Sequence, residues 1–272
     1  MVSVKVFKIF SDNYAYLLMD TESKNGVLVD VAEPHVIWET LQTMDINITH
    51  ILTTHSHADH DGGNLKMKSL VDGKQGSNVP IVGGKGDGVQ GCTLQVEEGD
   101  IVPLGSFSIR VSFTPCHTKG HVLYTCEGNC FTGDTLFIAG TLFHLKKYLN
   151  FKSTNIGCGN LNQGTAAQMH YALNDVIATL PLDTKLYVGH EYTVKNLQFA
   201  ATVEPENGAV LKKLEWALAQ RKAGEGCVPS IVREELATNP FMRVAQDSVK
   251  AFANREDPID VLATVRKRKD VF

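Results

Sequence analysis

Ile48-Thr49-His50-Ile51-Leu52-Thr53-Thr54-His55-Ser56-His57-Ala58-Asp59-His60 is the stretch on which the reading of this 272-residue chain turns. Ile48–Thr53 is apolar and β-branched and reads as a strand. It runs straight into His-x-His-x-Asp-His. Loops at strand ends are where a rigid scaffold displays reactive groups. Imidazole and carboxylate side chains are good ligands for divalent transition metals. His55, His57, Asp59 and His60 together exceed what one open catalytic site uses, so the economical division is between two metal ions.

Three further candidates lie downstream. His117 sits in Thr114-Pro115-Cys116-His117-Thr118-Lys119-Gly120-His121, Asp134 in Phe131-Thr132-Gly133-Asp134-Thr135-Leu136-Phe137, and His190 in Val188-Gly189-His190-Glu191-Tyr192. Each follows an apolar, β-like run and stands near Gly or Pro, so the three can converge at one sheet edge. A solitary histidine is more often an ordinary surface or hydrogen-bonded residue. His35, His50, His144 and His170, which lack this context, are assigned to such roles. His121 is expected to back the ligands from behind. Cys126 and Cys130 resemble half a zinc ribbon, but no second cysteine pair follows at suitable spacing. The six cysteines are scattered rather than forming the dense framework of a small secreted domain.

Outward from the motif, the first part of the chain reads as an α/β layered fold. Strands are expected at Val2–Phe10, Ala15–Asp20, Gly26–Asp30, Val79–Val82, Phe107–Phe113, Val122–Cys126 and Lys185–Val188. A helix is expected from Pro34 to about Met44. After His190 helical periods take over: Tyr192–Thr202, Asn207–Arg221, Ser230–Ala237 and Pro258–Lys267. The expected division is a catalytic domain over 1–190 and an α-helical substrate-binding domain over 191–272. A net charge of −4 and a pI near 6.2 argue against a nucleic-acid or membrane-surface partner. The amino terminus shows no signal peptide and no spanning segment is visible, which places the expected chain in the cytoplasm. A monomer is expected.

The seven residues His55, His57, Asp59, His60, His117, Asp134 and His190 resemble the ligand pattern of the metallo-β-lactamase superfamily, whose fold is an αββα sandwich. The resemblance implies His55, His57 and His117 on one metal, Asp59, His60 and His190 on the other, and Asp134 bridging. Zinc is the first expectation for the two divalent ions; iron and manganese also suit mixed histidine and carboxylate ligands. Within the superfamily, Asp12-Asn13-Tyr14, Thr114–Thr118, Phe131–Phe137, Gly189-His190-Glu191-Tyr192-Thr193, Val203-Glu204-Pro205 and Asn239-Pro240-Phe241-Met242-Arg243 resemble glyoxalase II over nearly the whole chain. That family hydrolyses S-D-lactoylglutathione to D-lactate and glutathione, the second step of methylglyoxal detoxification. Asp59 and Asp134 are then expected to serve catalysis by holding a metal-bound hydroxide. The resemblance also implies that Tyr192, Arg266 and Lys269 contact the glutathione moiety. Arg266 and Lys269 are three residues apart and so share one face of a helix. A solvated basic helix end, favourable for the helix dipole, is the plainer alternative.

Two departures stand out. The family runs from Ala-Gly directly into Cys-Gly-Lys-aromatic-aromatic-Glu-Gly, whereas here Thr141–Ile156 intervenes before Gly157-Cys158-Gly159. Asn160-Leu161-Asn162 then stands in place of Lys and two aromatics, of which the Lys and the second aromatic help to hold glutathione in the family. Thr141–Ile156 contains no Gly, Ala, Pro, Val, Asp or Glu. It reads either as a lineage-specific loop or as translated intron. The second departure is Ser56 and Ala58, where the family has His and Trp; neither is a ligand position. Competing readings are a persulfide dioxygenase-like enzyme, with one iron on two His and one Asp, and a catalytically silent glutathione-binding relative. Metal stoichiometry and turnover separate them.

Overall fold

The computed structural model describes residues 1–141 and 164–272. The expectations for 142–156 of the intervening segment, for 157–162 and for His144 therefore fall outside the described residues.

The first sheet collects β1 (Val2–Ile9), β2 (Asn13–Asp20), β3 (Asn25–Val29), β4 (Asn47–Leu52), β5 (Ile81–Gly84) and β6 (Leu94–Val96) in sequence order. Its first three strands pair antiparallel, and β3 to β6 run parallel. The parallel crossovers carry α1 (Pro34–Leu41), the single turn α2 (Ala58–Asp61) and α3 (Asn64–Gln75). β7 (Ile101–Leu104), β8 (Phe107–Phe113), β9 (Val122–Cys126) and β10 (Asn129–Gly133) form an antiparallel meander in the second sheet. α4 (Ala166–His170) and the turns that follow it then lead to β11 (Lys185–Val188), which pairs parallel to β10.

Strand periodicity sorts the apolar residues into three layers. Tyr16 and Leu18 of β2 face the second sheet, meeting Val111, Tyr124, Phe131 and Tyr187. Leu17 points the other way and packs with Ile37 and Leu41 of α1 and Met67 and Val71 of α3. On the second sheet Leu123, Cys130, Leu186 and Val188 face outward into a cluster filled by the C-terminal helices. These are α5 (Thr193–Val203), α6 (Gly208–Lys222), α7 (Val232–Thr238), α8 (Asp247–Ala253) and α9 (Pro258–Lys269). The result is the expected αββα sandwich with a C-terminal helical part. Each fully buried Leu, Ile or Phe in these layers contributes about 1.5–3 kcal/mol.

The chain after His190 is not purely helical. Ser230 and Ile231, expected to open a helix, form β12 and pair antiparallel with Leu186 and Lys185. The edge of β11 would otherwise leave backbone donors and acceptors unpaired, and this short strand satisfies them. Pro258 begins α9 as expected, and Asp257 caps it, accepting from the N–H groups of Ile259 and Asp260.

Candidate metal centre

Topology explains why distant residues meet. β8, β10 and β11 run in one direction, so their C-terminal ends deliver His117, Asp134 and His190 to one edge. In the first sheet the same edge receives the end of β3 at Asp30, the end of β4 with its His-x-His-x-Asp-His loop, and the beginning of β2. A bridge between Asn13 and His190 closes the two edges against each other, with Tyr14 N–H donating to Gly189 O at 2.9 Å.

All seven expected ligands are brought together there, in two groups. His55, His57, His117 and Asp134 form one and Asp59, His60 and His190 the other, with candidate ligand atoms within 4.8 Å of one another in each group. His57 Nδ1 lies 3.0 Å from both His55 Nε2 and His117 Nε2. Asp134 lies between the groups. Its Oδ2 is 3.5 Å from His117 Nε2 and 3.5 Å from His190 Nε2, and its Oδ1 is 3.3 Å from His60 Nε2. His190 Nε2 is 3.2 Å from Asp59 Oδ2.

The closeness has a structural cause. Gly133 has φ +45°, and a side chain there would meet Thr54 Oγ1 at 2.4 Å. A Cβ on Gly189 would meet Asp134 Oδ1 at 2.2 Å. Glycine at these two positions lets the loops of the two sheets approach to ligand distance.

The electrostatics fit a cation. Burial alone would raise the Asp134 carboxyl, but the His190 and His60 rings outweigh it and hold it well below the usual range. Burial would likewise lower His60 and His190, yet Asp134 and its neighbours push them up to about 10 and about 11. Burial keeps His55 well below its ordinary value and hence neutral. Three histidine nitrogens, with His57 Nδ1 at 3.0 Å from each of the other two, form a cluster that hydrogen bonds alone reconcile poorly. The buried Asp134 Oδ1 also completes no hydrogen bond among the described residues. A divalent ion in each group satisfies this donor set, which is the mixture of imidazole and carboxylate such ions take.

Supporting residues surround the ligands, several of them not singled out in the sequence. Asp30, at φ +54°, accepts from His60 Nδ1 at 3.0 Å and from Thr54 N–H and Oγ1 at 2.8 Å each. Asp12 Oδ1 is 3.0 Å from His190 Nδ1, and Asn13 Nδ2 donates to Asp59 Oδ2 at 3.0 Å. His121 stands outside both groups. Its ring stacks on His55 at 5.1 Å and its Nδ1 lies near the hydroxyls of Thr114 and Thr135, the backing role expected of it. His35, His50 and His170 are in neither group.

The three residues expected to contact substrate each touch the loop from Phe137 to Thr141. Tyr192 stacks on His190, with ring centroids 4.8 Å apart at 10°, and packs on Phe137. Phe137 pairs with Gly140, and the Lys269 ammonium reaches the same loop, where a Cβ on Gly140 would meet it at 2.6 Å. Lys269 also donates to Asn196 Oδ1. Arg266 is turned inward, only 3% exposed. Its Nη1 donates to Thr141 O at 2.9 Å, and its other nitrogens engage Asp270. Burial and the nearby cations Arg266 and Lys195 push the Lys269 ammonium well below its usual range.

Comparison with known proteins agrees with this architecture. Residues 13–190 match the family model "Metallo-beta-lactamase superfamily", and residues 191–272 match "Hydroxyacylglutathione hydrolase C-terminus". The crystal structure of ETHE1 from Myxococcus xanthus shares the fold at TM-score 0.63 with 22% identity, covering 100% of this chain and 99% of that one. The class is thus a metallo-β-lactamase fold with a helical C-terminal extension. A "Hydroxyacylglutathione hydrolase cytoplasmic" of Arabidopsis thaliana is 41% identical over 98% of both chains. A "Hydroxyacylglutathione hydrolase-like protein" of Gallus gallus is 37% identical over 100% of this chain and 90% of its own. The chain belongs to the hydroxyacylglutathione hydrolase family, also called glyoxalase II.

Proposed function

We propose that this protein hydrolyses S-D-lactoylglutathione and related glutathione thioesters at a centre of two divalent metal ions, zinc being the first choice. One observation carries the reading: the Asp134 carboxylate lies between two groups that each hold further ligands. A single ion on two histidines and one aspartate would leave half of this donor set without a task, which favours a two-metal hydrolase over a one-iron oxygenase. In this reading His55, His57 and His117 hold one ion, Asp59, His60 and His190 the other, and Asp134 both.

Bound metal would supply Lewis acidity and a water whose pKa falls towards ~7 from about 15.7 in bulk. The protein's own residues do the rest. Asp59 and Asp134 keep their carboxylates ionised through the neighbouring rings. Asp30 and Asp12 fix His60 and His190 in the orientation that presents Nε2 inward. Phe137 and Tyr192 form an apolar wall beside His190 that positions the thioester and limits water. The leaving thiolate has a pKa of roughly 8.5 and needs little help from an acid.

Tyr192, Lys269 and Arg266 hold the glutathione part in this proposal. Glutathione is an anionic tripeptide; burial first, and then Arg266 and Lys195, depress the Lys269 ammonium, and a bound carboxylate would offset the field of those cations. Arg266 then acts mainly by fixing Thr141 and α9, leaving Lys269 the more direct contact. Residues 1–190 form the catalytic domain and 191–272 the substrate-binding one. A monomer completes the proposal, and the cytoplasm is its compartment, as in the name of the plant relative; among the described residues no helix is long and apolar enough to cross a membrane.

The test is direct. Purified protein incubated with S-D-lactoylglutathione should release one free thiol per thioester lost, without oxygen uptake. Oxygen consumption with a persulfide substrate and no thioester loss would refute the proposal.

A further inference from the structure

Asp30 braces both ligand groups, accepting from His60 Nδ1 and from Thr54, whose hydroxyl lies 3.1 Å from His55 Nδ1; the other braces divide between the groups. On the side of His55, His57 and His117, the support is Asp87, in the loop that follows β5. Its Oδ2 accepts from Ser56 N–H at 2.7 Å, and Ser56 stands between His55 and His57. Its Oδ1 accepts from Gly120 N–H at 2.8 Å, three residues beyond His117. One carboxylate thus ties together the β4 loop and the β8–β9 loop, the two segments that supply these histidines. Among the described residues no hydrogen bond joins it to a candidate ligand atom.

On the side of Asp59 and His190 the support is the start of β2. Asp12 Oδ1 lies 3.0 Å from His190 Nδ1, and Asp12 O accepts from Glu191 N–H at 2.7 Å. Asn13 is 6% exposed; its Nδ2 donates to Asp59 Oδ2 at 3.0 Å and lies 3.3 Å from both Asp59 O and His190 Nε2. Asn13 is therefore wedged between two members of the second group and contacts none of the first.

We propose that Asp87 and the Asp12–Asn13 pair are positioning residues with separate duties, Asp87 holding the His55–His57–His117 group in register and Asp12 with Asn13 holding Asp59 and His190, so that the two metal ions can be weakened independently. The physical basis is that partners behind a ligand fix its orientation, and their loss costs about 10–100-fold in metal affinity. The straps share no atoms; both touch the β4 loop, Asp87 at Ser56 and Asn13 at Asp59, but their second grips differ, the β8–β9 loop for Asp87 and His190 for Asp12, so their effects should fall mainly on the group each one grips. This inference rests on the two-metal reading above.

The experiment is metal retention per chain, measured by elemental analysis after equilibration with graded concentrations of a chelator, on zinc-loaded protein. Asn13→Ala and Asp12→Ala should each lower retention from about two ions to about one, with a loss in affinity of about 10–100-fold at the affected site. Asp12→Asn keeps an accepting oxygen for His190 Nδ1–H and should restore wild-type retention. Asp87→Ala should weaken the other ion; Asp87→Asn, which keeps one accepting oxygen, replaces it if the alanine variant does not fold. The decisive arm uses the His190→Ala background. There Asn13→Ala should change the affinity of the remaining ion less than about twofold, whereas Asp87→Ala should still lower it about tenfold or more. Equal effects of the two substitutions in that background, or wild-type retention in every variant, would overturn the proposal. Wild-type protein that binds no metal would instead refute the two-metal reading on which it rests.

Discussion

The sheet edge and the C-terminal helix α9 both carry charged residues expected to act on substrate, but the structure treats them differently. At the edge, every expected ligand from His55 to His190 arrives within reach of its group, and His60 and His190 are each backed by a carboxylate that fixes the ring. On α9, Arg266 spends its guanidinium on Thr141 and Asp270, and Lys269 is the cation that reaches the loop beside Tyr192. The difference lies in how the two kinds of site are encoded. A ligand set is defined by mutual geometry and shows itself without substrate. A binding wall is defined by what it binds, and a basic residue in it serves the fold as readily as the ligand.

That contrast yields a graded series of outcomes. Asp134→Ala should have the largest effect, because the carboxylate faces both groups. Turnover is expected to fall by more than the about 10–100-fold typical of a residue that only supports a ligand, with metal content reduced and the circular dichroism spectrum unchanged. Wild-type metal and turnover in that variant would remove Asp134 from the centre. Asp30→Ala should come next. His60 would lose the carboxylate behind its Nδ1, and metal affinity should fall about 10–100-fold, read by chelator competition. Because Asp30 also binds Thr54, a lowered melting temperature is expected as well.

Lys269→Met should be milder and different in kind. The loss of one charge-assisted contact to a carboxylate, roughly 1.5–3 kcal/mol, should raise KM about tenfold or more while leaving kcat within about twofold. Steady-state kinetics with lactoylglutathione decide this, and a fall in kcat at constant KM would place Lys269 in the chemistry instead. Arg266→Ala should raise KM less than Lys269→Met does, since its guanidinium holds Thr141 and Asp270, and should add a stability loss that Lys269→Met lacks. The smallest effect is expected from removing residues 142–156. Thr141 must stay, since it is buried, donates to Thr135 O at 2.7 Å and accepts from Arg266. The sequence alone would place the dispensable segment at Gly140–Ile156; Gly140, which pairs with Phe137, and the buried Thr141 both stay, so it begins at 142. Metal content and turnover should persist in the deletion, while metal retention without turnover would identify a functional lid. A transcript lacking the segment would show that it is intron.

How much of this was legible in the sequence follows from the distances involved. His55, His57, Asp59 and His60 lie within one loop, so spacing alone exposed them. His117, Asp134 and His190 were legible because each ends a β-like run. Asp12, Asn13, Asp30 and Asp87 were not assigned roles, since lone polar residues after strands are common and only the pairing of two sheets gives each its partner. The same limit applies to secondary structure. Phe107–Phe113, Val122–Cys126 and Lys185–Val188 match their strands residue for residue, being apolar-rich runs with clear turns on either side. β10 shows in the sequence only as the β-like run before Asp134 and has no bounds of its own, because only Glu127-Gly128 separates it from β9; β12 is invisible because two residues carry no period of their own. α3 was missed because only three of its residues, Asn64, Met67 and Val71, are buried, too weak an apolar stripe to read.

Dependence of catalysis on a paired metal centre is tested most directly by one titration. Protein stripped with a chelator and then reloaded with zinc should show no thioesterase activity in the stripped state. It should regain activity in step with metal content and reach its maximum at about two ions per chain, with Asp134→Ala failing to recover. Full lactoylglutathione hydrolysis by the stripped protein, or a maximum reached at one ion per chain with no further gain, would contradict it.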